Sequence, residues 1–191
     1  MTLVLASASE RRKELLARLT EEFNIIISEF DESKVIFNGD CSKYVMDLAE
    51  GKASFVAKDL NYDALIIGCD TVVTYNGEVL GKPKSEEEAL VMLRLLSGKV
   101  HTVYSGLVII DTIKDIITRD YVCTEVKFSY ITDEEILKYI SSGEPMDKAG
   151  AYGIQGFGGV FVEYIKGDFY NVVGLPINKL KYMLREMGVN L

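Results

Sequence analysis

The run Leu65-Ile66-Ile67-Gly68-Cys69-Asp70-Thr71-Val72-Val73 constrains the fold more than any other stretch of this chain. Its apolar and β-branched residues read as a buried strand. The run is interrupted by one carboxylate, where we expect the strand to break before it resumes. An ionised Asp inside such a run is expensive unless a cation or several donors meet it, so Asp70 predicts a site rather than a packing role. Further on stands Gly81-Lys82-Pro83-Lys84, and near the start lies Ser7-Ala8-Ser9-Glu10-Arg11-Arg12. Hydroxyls, guanidinium, ammonium and carboxylate groups together suggest a site for a metal-chelated phosphate chain.

Strands and helices alternate around that run. Leu3-Val4-Leu5-Ala6 reads as a short buried strand feeding a helix over 9–18, with Leu15, Leu16 and Leu19 on one stripe. A second strand is expected over 24–28, then an acidic turn ending at Asp31-Glu32, then a helix over 42–58. Asn76-Gly77 signals a hairpin turn of the primed type. Ser85 with Glu88 and Thr132 with Glu135 have capping-box spacing, and Gly98 suits a left-handed helix cap. Long β-rich runs over 100–110 and 116–128 flank a polar turn and predict a hairpin. A glycine-rich stretch over 150–159 precedes a strand over 160–164, and the last helix should span 176–187 with Pro176 in its first turn. The pattern is α/β, a mixed central sheet flanked by helices. One domain is expected over 1–191, with the central hairpin and the helix after it forming a second lobe beside a cleft.

Composition bounds the partners. A formal net charge of −8 argues against broad binding to a nucleic-acid polymer, which needs a basic face. It permits a nucleotide, because a few local cations and a metal can reverse the sign at one site. No apolar run approaches a membrane span, and the first residues lack the basic start of a signal peptide, so the expected location is cytoplasmic. Three widely spaced cysteines give neither a disulfide framework nor a zinc knuckle. Cys69 reads as a buried structural thiol. His101, the chain's one histidine, reads as structural too. With no Ser/His/Asp set, acyl transfer loses its support.

The remaining polar residues carry two readings each. Ser7 and Ser9 sit where a strand becomes a helix, and with Arg11 and Arg12 they offer donors to an anion; an ordinary capped surface helix explains the segment equally well. Arg11 and Arg12 are adjacent and must point in different directions. Lys82, fixed between Gly81 and Pro83, is a point charge for phosphate or a solvated turn lysine. Lys52, mid-helix beside Gly51, would be unremarkable on a surface. Glu32 and Asp70 together suit Mg²⁺ or Mn²⁺, which prefer oxygen ligands and bridge carboxylates to substrate phosphates. The small residues of Asp147-Lys148-Ala149-Gly150-Ala151-Tyr152-Gly153-Ile154-Gln155-Gly156 allow close approach to a ligand or form a tight turn. Gln155 offers a donor and an acceptor, which fits the amide-like edge of uracil or thymine.

Taken together, these segments resemble the Maf family of nucleoside triphosphate pyrophosphatases. The matching pieces run in the family's order, from Leu5-Ala6-Ser7-Ala8-Ser9-Glu10-Arg11-Arg12 through Asp31-Glu32, Gly51-Lys52-Ala53, Gly68-Cys69-Asp70-Thr71 and Gly81-Lys82-Pro83. Leu96-Ser97-Gly98-Lys99-Val100-His101-Thr102-Val103, the segment holding Gln155, and Asn171-Val172-Val173-Gly174-Leu175-Pro176 complete the set. No single piece is decisive, but the ordered set is specific. The resemblance implies a fold similar to the inosine-triphosphate pyrophosphatases, a homodimer, and a divalent metal cation (Mg, Mn or Co). It also implies hydrolysis of a nucleoside triphosphate to monophosphate and pyrophosphate, with a house-cleaning role in the nucleotide pool. Arg12, Thr71 and Gln155 stand where the branch acting on dTTP and UTP is marked. On that reading we expect Asp70 to be the catalytic group, Glu32 with Asp70 to hold the metal, and Ser7, Arg11, Arg12, Lys52, Thr71, Lys82 and Gln155 to bind substrate. Glu10 departs from the family, which usually has Pro there, and is expected to face solvent. A non-enzymatic nucleotide sensor or division regulator is the rival reading, and an enzyme for damaged nucleotides a third.

Overall fold

The computed structural model describes residues 2–190. In chain order the helices and strands are β1 Thr2–Leu5, α1 Glu10–Leu16, β2 Asn24–Ile25, α2 Cys41–Asp59, β3 Ala64–Tyr75 and β4 Glu78–Leu80. Then follow α3 Glu86–Leu96, β5 Val100–Asp111, β6 Ile116–Phe128, α4 Asp133–Ile140, β7 Val162–Lys166, α5 Phe169–Val173 and α6 Ile177–Glu186. Four short 3₁₀ turns punctuate them, one at Glu32–Lys34 and three between α4 and β7. The strands form one mixed sheet in the order β2-β1-β3-β5-β6-β7, with β4 paired to β3. β1 runs parallel to both β2 and β3, whereas β4 on β3 and β7 on β6 are antiparallel. The expected mixed sheet flanked by helices is what the chain forms.

By contact density the chain falls into two compact units. The first holds Met1–Thr71, Ser105–Val122 and Gly174–Leu191; the second holds Val72–Tyr104 and Cys123–Val173. In the first, Val4, Ala6, Ala49, Ala53, Val56, Ala64, Ile66, Val108 and Ile110 make one buried cluster. α2 supplies its share by helical spacing, with Val45, Leu48, Ala49, Ala53 and Val56 buried along one stripe. Two glycines set how closely α2 lies on the sheet. A Cβ on Gly68 would strike the Ala49 carbonyl, and one on Gly106 would strike that of Val45. The second unit has a more aromatic core, in which Phe128, Tyr139, Tyr152 and Phe161 pack with Leu93, Leu96, Val126 and Ile136.

Four local features differ from expectation. β3 does not break at Asp70; it runs unbroken through that residue, which is 7% exposed. The carboxylate is met by a cation on the neighbouring helix, so the ladder has no need to open around it. β2 is two residues long rather than five, and α5 falls in a stretch whose five residues are too few to show a period. The strand expected over 160–164 begins at Val162, because a 3₁₀ turn occupies Phe157–Phe161. The turn chemistry holds well: Asn76 and Gly77 both have positive φ (51° and 82°), and Gly98 caps α3 at φ 67°. Thr132 and Glu135 close a complete capping box. At α3 only half the box forms, since Glu88 accepts from the Lys84 N–H instead of that of Ser85.

Candidate active site

The first unit assembles its charged residues on a scaffold of small ones. Gly51 on α2 leaves room for the Phe30 ring, which a Cβ there would hit. That contact lays the 29–32 segment against the helix. Asp31 then spends its carboxylate locally, accepting from the N–H and hydroxyl of Ser33. Glu32 is left to reach inward, its Oε1 lying 2.8 Å from Lys52 Nζ. The close seat of α2 on β3, which Gly68 permits, brings the same ammonium to 2.5 Å from Asp70 Oδ1. Burial pulls the Lys52 pKa down, but attraction to Asp70 and the bonds to both carboxylates outweigh that and a smaller push from Arg12, so the net direction is up. Lys52 therefore stays charged. Burial and the negative charges of Asp70 and Glu32 push the nearby Tyr44 phenol up, keeping it protonated.

A second set stands around Arg12. Its Nε donates to the Gly174 carbonyl at 2.9 Å and its Nη2 to Thr71 Oγ1 at 3.1 Å. Thr71 Oγ1 also lies 2.8 Å from Ser105 Oγ and 3.3 Å from the Gly174 oxygen. The guanidinium is thus clamped on one edge. Arg11, one residue earlier, is half-buried. Ser7 is 9% exposed, and its Oγ accepts from the Ser9 N–H at 3.2 Å. Glu10 is exposed and pairs with Lys13 at 3.5 Å, away from these groups as expected. Cys69 is fully buried, its Sγ donating to the Gly174 oxygen at 3.3 Å, and burial pushes the thiol pKa up; it is a structural thiol.

The other two expected residues, Lys82 and Gln155, belong to the second unit. Both are exposed. The backbone around Lys82 is fixed, as Pro83 is buried and the Gly81 carbonyl accepts from the Gly150 N–H at 3.0 Å. The glycine-rich segment needs a different account from the one its composition suggests. A Cβ on Gly150 would meet Val73, and Cβ atoms on Gly153, Gly156 and Gly158 would meet Glu144 or the Tyr139 hydroxyl. What approaches the backbone so closely is the protein's own Tyr139 and Glu144. Sequence reasoning missed both, together with Ser105 and the Gly174 carbonyl. His101 is 2% exposed, with Nε2 2.8 Å from the Tyr152 hydroxyl and its ring edge-on to Phe128, which is the structural role expected of it.

Whether these residues suit a metal is a question of donors. Among the described residues no group of three or more His, Cys, Asp and Glu could hold one alone. Glu32 Oε1 and Asp70 Oδ1 nevertheless converge on a single positive centre, at present Lys52 Nζ. Two hard oxygens aimed at one cation fit Mg²⁺ or Mn²⁺ of the kind completed by substrate phosphates.

The model of the Maf-like protein family matches residues 2–187, nearly the whole chain and every segment just described. The chain belongs to the Maf family. It is similar to the dTTP/UTP pyrophosphatase of Clostridium novyi (strain NT), at 63% identity over 191 residues that cover 100% of both chains. It is similar, too, to the dTTP/UTP pyrophosphatase of Clostridium tetani (strain Massachusetts / E88), at 60% identity and full coverage of both. Among solved structures, the Staphylococcus aureus Ham1 protein aligns with 86% of this chain and 81% of its own, at 18% identity and a TM-score of 0.48. Within this Maf chain, no helix among the described residues is long and apolar enough to cross a membrane.

Proposed function

We propose that this Maf-family chain hydrolyses dTTP and UTP to the nucleoside monophosphate and pyrophosphate, in the cytoplasm, as upkeep of the nucleotide pool. The observation that carries the reading is the Asp70–Lys52–Glu32 cluster, in a chain whose full-length relatives bear the name dTTP/UTP pyrophosphatase. Water attacks the α-phosphorus in line, a P–O bond forms as the bond to the β-phosphate oxygen breaks, and Asp70 orients the water and takes its proton. Glu32, with Asp70, holds a divalent cation (Mg, Mn or Co), which supplies charge neutralisation for the departing pyrophosphate. Ser7, Arg12, Lys52 and Lys82 meet phosphate oxygens, with Arg11 the weaker candidate. Charge stabilisation of this kind supplies most of the rate. Gln155 and Thr71 read the pyrimidine or its sugar; Thr71 does so while fixing Arg12. The partner is a free nucleotide, not a nucleic-acid polymer or a membrane, and the working assembly is a homodimer.

The test is a pyrophosphate-release assay over the common triphosphates with Mg²⁺, Mn²⁺, Co²⁺ or a chelator. Turnover of UTP and dTTP well above GTP, with monophosphate and pyrophosphate as products, is the expected result. Comparable rates with GTP and UTP would refute the pyrimidine preference assigned to Gln155 and Thr71. Orthophosphate release would refute the site of cleavage, and activity undiminished by chelator would refute the metal.

A further inference from the structure

Residues 153–158, which carry Gln155, have little side-chain anchorage of their own. Three of the six are glycine, Gln155 is exposed, and the Phe157 side chain is 71% exposed. Ile154 alone packs partly against the core. The backbone is held instead by two side chains from elsewhere. The Gly153 N–H donates to the Tyr139 hydroxyl at 3.1 Å; the Phe157 N–H donates to Glu144 Oε2 at 2.8 Å and the Gly158 N–H to Oε1 at 3.2 Å. Tyr139 closes the set by donating its own hydroxyl to Glu144 Oε1 at 2.8 Å. Both ends of the short segment are therefore tied to one buried phenol and one carboxylate. The three glycines are what let the main chain come so near.

Burial raises the Glu144 pKa, but the Phe157 N–H, the Tyr139 hydroxyl, the Gly158 N–H and the Lys148 charge together bring it below the ordinary value, so the acceptor is ionised at neutral pH. Bonds to an ionised acceptor are about twice as strong as neutral ones. A segment of mostly bare backbone thus acquires a defined shape from two residues that need not touch substrate.

We infer that Tyr139 and Glu144 are positioning residues for base selection: they set the shape of the 153–158 segment and so the placement of Gln155. This rests on the proposed reading of Gln155. Three variants, Glu144→Ala, Glu144→Gln and Tyr139→Phe, are compared with Gln155→Ala. The readouts are the ratio of kcat/KM for UTP over GTP and the hydrogen exchange of the 153, 157 and 158 amides. Glu144→Ala and Tyr139→Phe should each lower the ratio about fivefold or more, as loss of three and of two such bonds implies, with faster exchange at those amides and a smaller change in kcat for UTP. Glu144→Gln keeps an acceptor oxygen and should lose less than Glu144→Ala. If Gln155→Ala collapses the ratio while the Tyr139 and Glu144 variants speed exchange yet leave the ratio intact, the pair is merely structural and the inference falls alone. If Gln155→Ala itself leaves the ratio intact, the reading of Gln155 falls and takes the inference with it.

Discussion

Asp70 and His101 are both titratable, both on long central strands and both nearly inaccessible, yet their surroundings are opposites. Asp70 keeps its charge company: an ammonium at 2.5 Å is shared with Glu32, and Arg12 lies close enough to disfavour that ammonium. His101 sits among Phe128 and Tyr152, has one hydroxyl partner, and is driven by burial down to a pKa of about 4. Burial alone does not mark a working group. One of these residues touches an ammonium shared with a second carboxylate, the other is kept neutral inside an apolar core. The first arrangement is costly to maintain for packing and useful for chemistry; the second fills core space with one ring nitrogen bonded to a hydroxyl and the buried Nδ1 without a hydrogen-bond partner.

The sharpest way to break the contrast is Asp70→Asn, which removes the charge and keeps the shape. Turnover of UTP should fall more than about a hundredfold, the scale of a lost general base, while the fold persists. Near-full activity would end the catalytic assignment. Next comes Lys52→Met, which strands two carboxylates against each other. Urea unfolding should report a loss of about 3 kcal/mol, the low end for breaking a buried pair because Glu32 remains half in solvent. A variant as stable as the parent would show that the pair is solvated in solution.

His101 sharpens the other side through pH. Its unfolded pKa of 6.5 exceeds the folded value of about 4, so protons favour the unfolded chain. Its contribution is complete above pH 6.5 and drains away as pH falls toward 4, a difference of about 3 kcal/mol. Since the chain has one histidine, the stability difference between parent and His101→Gln should shrink over that window. Parallel curves would mean that the imidazole titrates normally. The smallest effect belongs to Thr71→Val, which removes one bond to Arg12 and the hydroxyl contact with Ser105. A rise of about fivefold in KM for UTP with little change in kcat is expected from a loss of about 1 kcal/mol in binding. A kcat effect larger than the KM effect would move Thr71 into the chemistry.

What the sequence could announce follows from distance along the chain. The Asn76-Gly77 turn and the caps at Ser85 and Thr132 depend on a few adjacent residues and are legible at once. Asp70 was conspicuous because it offends a local rule. Lys52 offends none. It looks like any helical lysine until Gly68 lets its helix settle on β3 and Gly51 admits Phe30, and those glycines were the available hint. Tyr139 and Glu144 were invisible for the same reason: the glycine-rich segment advertises that something comes close, without saying that the visitor is a phenol and a carboxylate from the preceding helix and turn. The unbroken β3 shows the limit of reading a polar residue as a breaker, because a cation supplied from elsewhere removes the cost locally assigned to it.

The clamp on Arg12 joins residues 162 positions apart, since its acceptor is the carbonyl of Gly174. A growing polypeptide leaving the ribosome carries the guanidinium long before it meets its seat, which is added 162 residues later. Premature stops anywhere before that glycine should yield products that lack this arginine's final setting, however well their early strands have formed.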